Sequence, residues 1–129
     1  MVAASALAAA ISLTPADAEF TRGLNSAISL ESPERPTDGT IASGRALYRE
    51  RCVACHGERG RGDGPAAGGL EPRPADLLLH VPQHTDGELF FFIGRGVPGT
   101  AMPAWRSVLT ERERWYLVHY LHVLTGGGP

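Results

Sequence analysis

Apolar residues recur at helical spacing in three stretches of the chain, and polar, Gly- and Pro-rich segments separate them. Ile41, Leu47 and Tyr48 form one stripe with Arg and Glu opposite, which predicts a helix from near Asp38 or Thr40 to about Val53. Thr85 followed by Glu88 is a capping box. The apolar run behind it predicts a short helix from Asp86 to about Ile93, ended by Gly94, with Leu89, Phe90, Phe92 and Ile93 inward and Phe91 more exposed. A second capping box, Thr110 with Glu113, opens a helix whose inward residues are Trp115, Leu117, Val118, Leu121 and Val123 or Leu124. Its acidic residues fall in the first turn, where the helix dipole favours them, and Gly126 stops it. The pattern predicts an all-α domain over residues 39–126.

The rest of the chain lacks such stripes. Ser29 to Gly39 is polar, and Pro33 and Pro36 break any helix, so residues 19–38 read as a flexible linker without secondary structure. Val2 to Leu13 is apolar and Ala-rich, and Ala16-Asp17-Ala18 resembles a small-residue cleavage site. A basic leader is missing, since the first Arg is Arg22, and the run is too short to span a bilayer. Residues 1–18 are therefore expected to be a signal peptide or the end of a membrane segment, with the remainder on the outer side of that membrane.

The chemistry is concentrated in Cys52-Val53-Ala54-Cys55-His56. The spacing C-x-x-C-H is that of c-type haem attachment. Two thiols three residues apart can each add to one haem vinyl group, and the adjacent imidazole can then face the iron. These are the only 2 cysteines, so no disulfide competes for them. A thioredoxin-like redox pair needs a βαβ context, and the flanks here do not read as βαβ. A structural zinc needs four ligands, usually two spaced pairs, and there is no second Cys pair. Met102, in the turn-rich stretch Gly96 to Trp105, is a candidate distal ligand. Met/His ligation raises the reduction potential and fills both axial positions of a haem iron.

With these parts in this order, residues 40–125 resemble class I c-type cytochromes, in particular small bacterial mono-haem domains and those fused to membrane proteins. The matching parts are the first helix, C-x-x-C-H, the glycine-rich run Gly57 to Gly69, Pro72-Arg73-Pro74-Ala75-Asp76-Leu77, the Gly99-Thr100-Ala101-Met102-Pro103 loop and the last helix. The likeness extends more softly to cytochrome domains of copper-resistance-type membrane proteins. It implies a cytochrome c fold of three to five helices around one haem, held covalently by Cys52 and Cys55 with His56 and Met102 on the iron. It also implies that Gly44 and Tyr48 pack across Leu117, Tyr120 and Leu121, and that the Pro65 carbonyl accepts the His56 Nδ1 hydrogen bond. Leu89, Phe92 and Ile93 are expected to wall the haem pocket, and Arg73 and Trp105 are candidates for its propionates.

The resulting expectation is an electron carrier, not an enzyme in its own right, because no acid–base or nucleophile constellation is present. It would shuttle electrons between redox-protein donors and acceptors, including a membrane oxidase or dehydrogenase, in the periplasm or on the outer face of the bacterial cytoplasmic membrane. Attachment through the N-terminus is compatible with this. Two alternatives stay open: a haem domain of a larger membrane oxidoreductase or copper-handling protein, and a haem sensor or peroxidase-like protein if Met102 leaves the iron easily. A net charge of −2 argues against nucleic acid as partner. All 12 basic residues are Arg, and Arg45, Arg49, Arg51, Arg59 and Arg61 gather near the motif as either a docking patch or a solvated surface. His80 and His84 are a weak alternative as distal ligand or copper pair, with Pro82 between them. His119 and His122 read as helix-surface residues.

Overall fold

A computed structural model describes residues 13–127; the apolar run from Val2 lies, but for Leu13, outside them. The described residues contain six α-helical segments and no strand: α1 (Pro15–Ala27), α2 (Asp38–Arg51), α3 (Val53–His56), α4 (Leu77–His80), α5 (Asp86–Arg95) and α6 (Glu111–Leu124). The five from Asp38 onward are the all-α domain expected; α1 is additional.

Local chemistry sets the helix ends. Thr85 and Thr110 accept from the backbone N–H groups of Glu88 and Glu113, whose carboxylates accept in return from the threonine N–H groups. Thr37 caps α2 in the same way with Thr40 as its reciprocal partner, which adds a box that lacks the usual Glu or Gln. α2 ends at Arg51, before Val53, because Cys52 leaves the helix line and starts the separate turn α3. α5 continues one turn-end past the expected stop at Gly94 and closes at Gly96, whose φ of +69° suits glycine.

The core lies between α2 and α6, with α5 against them. Tyr48, Leu117, Val118, Trp115, Leu89 and Ile93 are all buried in one cluster. A Cβ on Gly44 would stand 2.0 Å from the Tyr116 carbonyl oxygen, so glycine is what lets the two helix backbones approach. The rings of Tyr48 and Tyr120 pack at 5.3 Å, and the Phe90 ring stacks on Trp115 at 4.1 Å.

Residues 15–27 are helical: 15–18 belong to the stretch expected as a signal peptide or membrane-segment end, and 19–27 to the one expected as a linker without secondary structure. Thr14 and Asp17 form a capping box, Pro15 sits in the first turn where its missing N–H costs nothing, and Phe20, Gly23, Leu24 and Ala27 share one face. That face lies on α5, with Phe20 5.1 Å from Phe91 and Gly23 directly under the Phe91 ring. Phe91 is consequently buried, not exposed. Residues 28–36 are not helical, but they are tied to α6: Tyr116 donates to the Glu34 carboxylate at 2.9 Å and Arg112 pairs with it at 3.0 Å.

Candidate cofactor site

The C-terminal end of α2 delivers Cys52, and the single turn of α3 carries Cys55 and His56. Both cysteines are free thiols and half-buried. Burial, reinforced by the neighbouring Cys55, pushes the Cys52 thiol up to about 12, so it is held protonated in an apolar setting that suits a thioether. The Tyr48 hydroxyl donates to the Gly57 carbonyl and fastens the residue after the motif to α2.

The glycine-rich loop folds back on the motif. Gly62 donates to the His56 carbonyl at 2.9 Å, Gly64 to Cys55 at 3.1 Å and Ala66 to Ala54 at 2.8 Å. Further on, Leu77 donates to Gly60 at 2.6 Å, and the Asp76 carboxylate caps α4 through the Leu78 N–H. These contacts bring the Ala75 carbonyl to 3.1 Å from His56 Nδ1. Ala75, and not Pro65, is the acceptor; Pro65 is exposed. Burial lowers the His56 pKa and the Ala75 hydrogen bond opposes that shift, so the imidazole is held neutral with its proton on Nδ1. Nε2 is then the lone-pair nitrogen.

Met102 is half-buried and packs against the same core cluster as Cys52, Leu89, Ile93 and Trp105. Its N–H donates to the Thr100 hydroxyl, which in turn donates to Val97, so the loop is braced from within. Trp105 is half-buried, and the Arg51 guanidinium lies 5.8 Å from its ring, joining the loop after Met102 to the end of α2. Leu89 and Ile93 are in the core cluster, whereas Phe92 stands outside it, edge-on to His84 at 5.0 Å. Arg73 is exposed. The donor set is thus two unpaired thiols, a neutral imidazole with one nitrogen committed, and a thioether beside the same core. These residues fit a covalently attached haem.

Among the remaining histidines, His119 departs from expectation. The rings of His80 and His84 lie parallel at 6.3 Å, and no group of three or more metal-ligating His, Cys, Asp or Glu residues occurs among the described residues. His119 is not on the surface. It is 2% exposed, with Nδ1 2.9 Å from the Thr40 hydroxyl and Nε2 2.9 Å from that of Ser32. His122 Nε2 meets Asp86 at 2.6 Å.

Several known proteins are similar to this chain. The profile of the family described as cytochrome c oxidase, cbb3-type, subunit III, matches residues 39–121. Cytochrome c55X of Paracoccus denitrificans (strain Pd 1222) is 38% identical over 80 residues, 60% of this chain and 67% of that protein. The cbb3-type cytochrome c oxidase subunit CcoP of Azospirillum sp. (strain B510) is 32% identical over 91 residues, 69% of this chain and 30% of that subunit. A chain of the Kuenenia stuttgartiensis reducing HAO-like protein complex Kustc0457/Kustc0458 superposes with a TM-score of 0.65 at 34% identity, covering 75% of this chain and 48% of its own length. The chain therefore spans less than a third of the CcoP subunit and under half of the Kuenenia chain.

Proposed function

Because this chain belongs to the cbb3-type cytochrome c oxidase subunit III family of small bacterial c-type cytochrome domains, we propose that it is a single-electron carrier in which one haem c would have its iron ligated by His56 and Met102. Cys52 and Cys55 would hold the haem. When bound, that group supplies a one-electron couple whose potential is set by axial ligands, burial and hydrogen bonds. The protein's residues do the rest. The Ala75 carbonyl orients the His56 ring and raises its basicity. The Thr100 hydroxyl and Val97 carbonyl hold the Met102 loop. Leu89, Ile93 and the Tyr48 cluster exclude water.

The observation that supports this reading most is the commitment of His56 Nδ1 to Ala75, because it leaves Nε2 as the only ring nitrogen available to iron. Electrons would pass at the edge near Cys52 and Cys55 in small, transient contacts with a redox donor and acceptor. Arg45, Arg49, Arg51, Arg59 and Arg61, all exposed, offer the electrostatic part of such a contact. Covalent haem attachment of this kind fits the periplasm or the outer face of the cytoplasmic membrane. No helix among the described residues is long and apolar enough to cross a membrane.

Likeness to CcoP over 30% of that subunit favours a second reading, in which the domain works as one haem module of a larger membrane oxidoreductase. Optical spectroscopy on protein coexpressed with a c-haem maturation system tests the ligation. A pyridine haemochrome counts covalent haem, and the ferric far-red sulfur-to-iron band is expected in the wild type and absent in Met102→Ala. A high-spin ferric spectrum, or no such band in the wild type, would reject Met102 as ligand and move the sensor or catalyst reading forward.

A further inference from the structure

Away from the haem ligands, a pocket of about 200 Å³ opens between α1, α5 and α6, lined by Ala27, Leu30, Phe90, Phe91, Gly94, Arg95, Arg106 and Arg114. Its composition is lopsided. Three of the twelve arginines converge on it, and none of its lining residues is acidic. The floor is apolar and largely aromatic. Neither Cys52, Cys55, His56 nor Met102 contributes to it.

Arg114 is the inner cation. Its guanidinium lies 4.5 Å from the centre of the Phe90 ring, which itself stacks on Trp115. It sits flat against α5 because residue 94 is glycine; a Cβ there would stand 2.4 Å from Nη1. Arg114 Nε is a buried donor with no hydrogen-bond partner, an arrangement that costs stability unless something accepts from it. Burial lowers the Arg114 pKa, Glu111 one turn back opposes this, and the positive charge of Arg106 adds to it. Arg95 faces the Phe91 ring at 5.7 Å and has a 3.7 Å contact with Glu19 in which both side chains are exposed, a pair of little worth. Arg106 is exposed and appears in no ion pair among the described residues.

We propose that this pocket binds a small organic anion, its carboxylate held by Arg114 and Arg106 and its apolar body laid on Phe90, Phe91 and Leu30. A carboxylate neutralises like charges that otherwise repel, and the guanidinium fork matches its two oxygens. The apolar floor selects against a bare inorganic anion. A pocket of this size admits a benzene-sized ring, since a dry cavity of about 150 Å³ already does so.

Isothermal titration of the haem-loaded protein with benzoate tests this, with benzamide as the uncharged isostere and inorganic phosphate as the anion without an apolar body. Benzoate is expected to saturate one site, with benzamide and phosphate failing to do so. Arg106→Gln and Arg114→Gln are each expected to weaken benzoate by about tenfold, the loss of one charged hydrogen bond. Arg35→Gln, outside the pocket, is expected to leave binding unchanged. Arg106 is exposed, so its variant keeps the fold even if the Arg114 variant does not. Absence of saturable benzoate binding, equal binding of benzamide, or wild-type affinity in Arg106→Gln would overturn the assignment. Phosphate binding as tightly as benzoate would overturn its organic half.

Discussion

At Gly44 one methyl group is enough to probe the contact on which the core depends. The added carbon would meet the Tyr116 carbonyl at 2.0 Å and the Tyr120 Cβ at 2.9 Å, and the first of these is backbone that cannot rotate away. Gly44→Ala is therefore expected to cost about 1–3 kcal/mol, the range for overpacking, seen as a lower thermal midpoint by circular dichroism. An unchanged midpoint would show that α2 and α6 are not locked at this point. Gly44 was legible in the sequence because the resemblance placed it against the last helix. Cys52, Cys55 and His56 were legible because their chemistry resides in residue identity and spacing. The acceptor for His56 was not. Every residue carries a carbonyl, so only the folded path of the loop, clasped by Gly62, Gly64 and Leu77, distinguishes Ala75 from Pro65. His119 was hidden for a related reason. Its partners Thr40 and Ser32 lie 79 and 87 positions away, and no local pattern on α6 reveals that a polar residue there is satisfied.

Helix α1 is the element that sequence reading missed, although its signals are present. Thr14, Pro15 and Asp17 mark a start, and Phe20, Gly23, Leu24 and Ala27 fall at helical spacing. The Ala-rich run before it and the prolines after it drew attention to processing and disorder instead. What makes the helix stable is tertiary, since 13 residues are marginal alone. The Phe20 ring fills the space beside Phe91 and Phe92, and Gly87 allows the Ala27 carbonyl to close on α5, where a Cβ would stand at 1.9 Å. Phe20→Ala removes the largest of these contacts, at a cost of about 1–2 kcal/mol for a partly buried aromatic. Amide hydrogen exchange is expected to accelerate throughout α1 while α2 and α6 keep their protection. Uniform acceleration in all helices would mean that α1 is part of the global unit and not a separable layer.

At the scale of the whole molecule, His119 joins the residue 28–36 arm, the start of α2 and the middle of α6, so its charge state bears on global stability. Burial lowers its pKa, with Asp86 and Glu34 pulling the other way and His122 adding to the depression. The folded protein thus resists protonating it, while the unfolded chain takes up the proton near the ordinary value of about 6.5. The sign follows: this contribution is complete above that pH and declines as pH falls towards the folded-state pKa, by at most about 1.4 kcal/mol per pH unit for one proton. Urea unfolding from pH 7.5 to 5 is expected to show this loss in the wild type and a shallower one in His119→Gln. Equal slopes would exclude His119 as its source. The order in which α1 contacts α5 has a separate consequence. Ala27 meets Gly87 near the start of α5, Gly23 meets Phe91, and Glu19 meets Arg95 at its end, so the two helices run antiparallel. The start of α1 then lies at the Arg95 end of α5, on the flank where the chain leaves for the Met102 loop. Any bulky group joined upstream would cast a steric shadow over that flank.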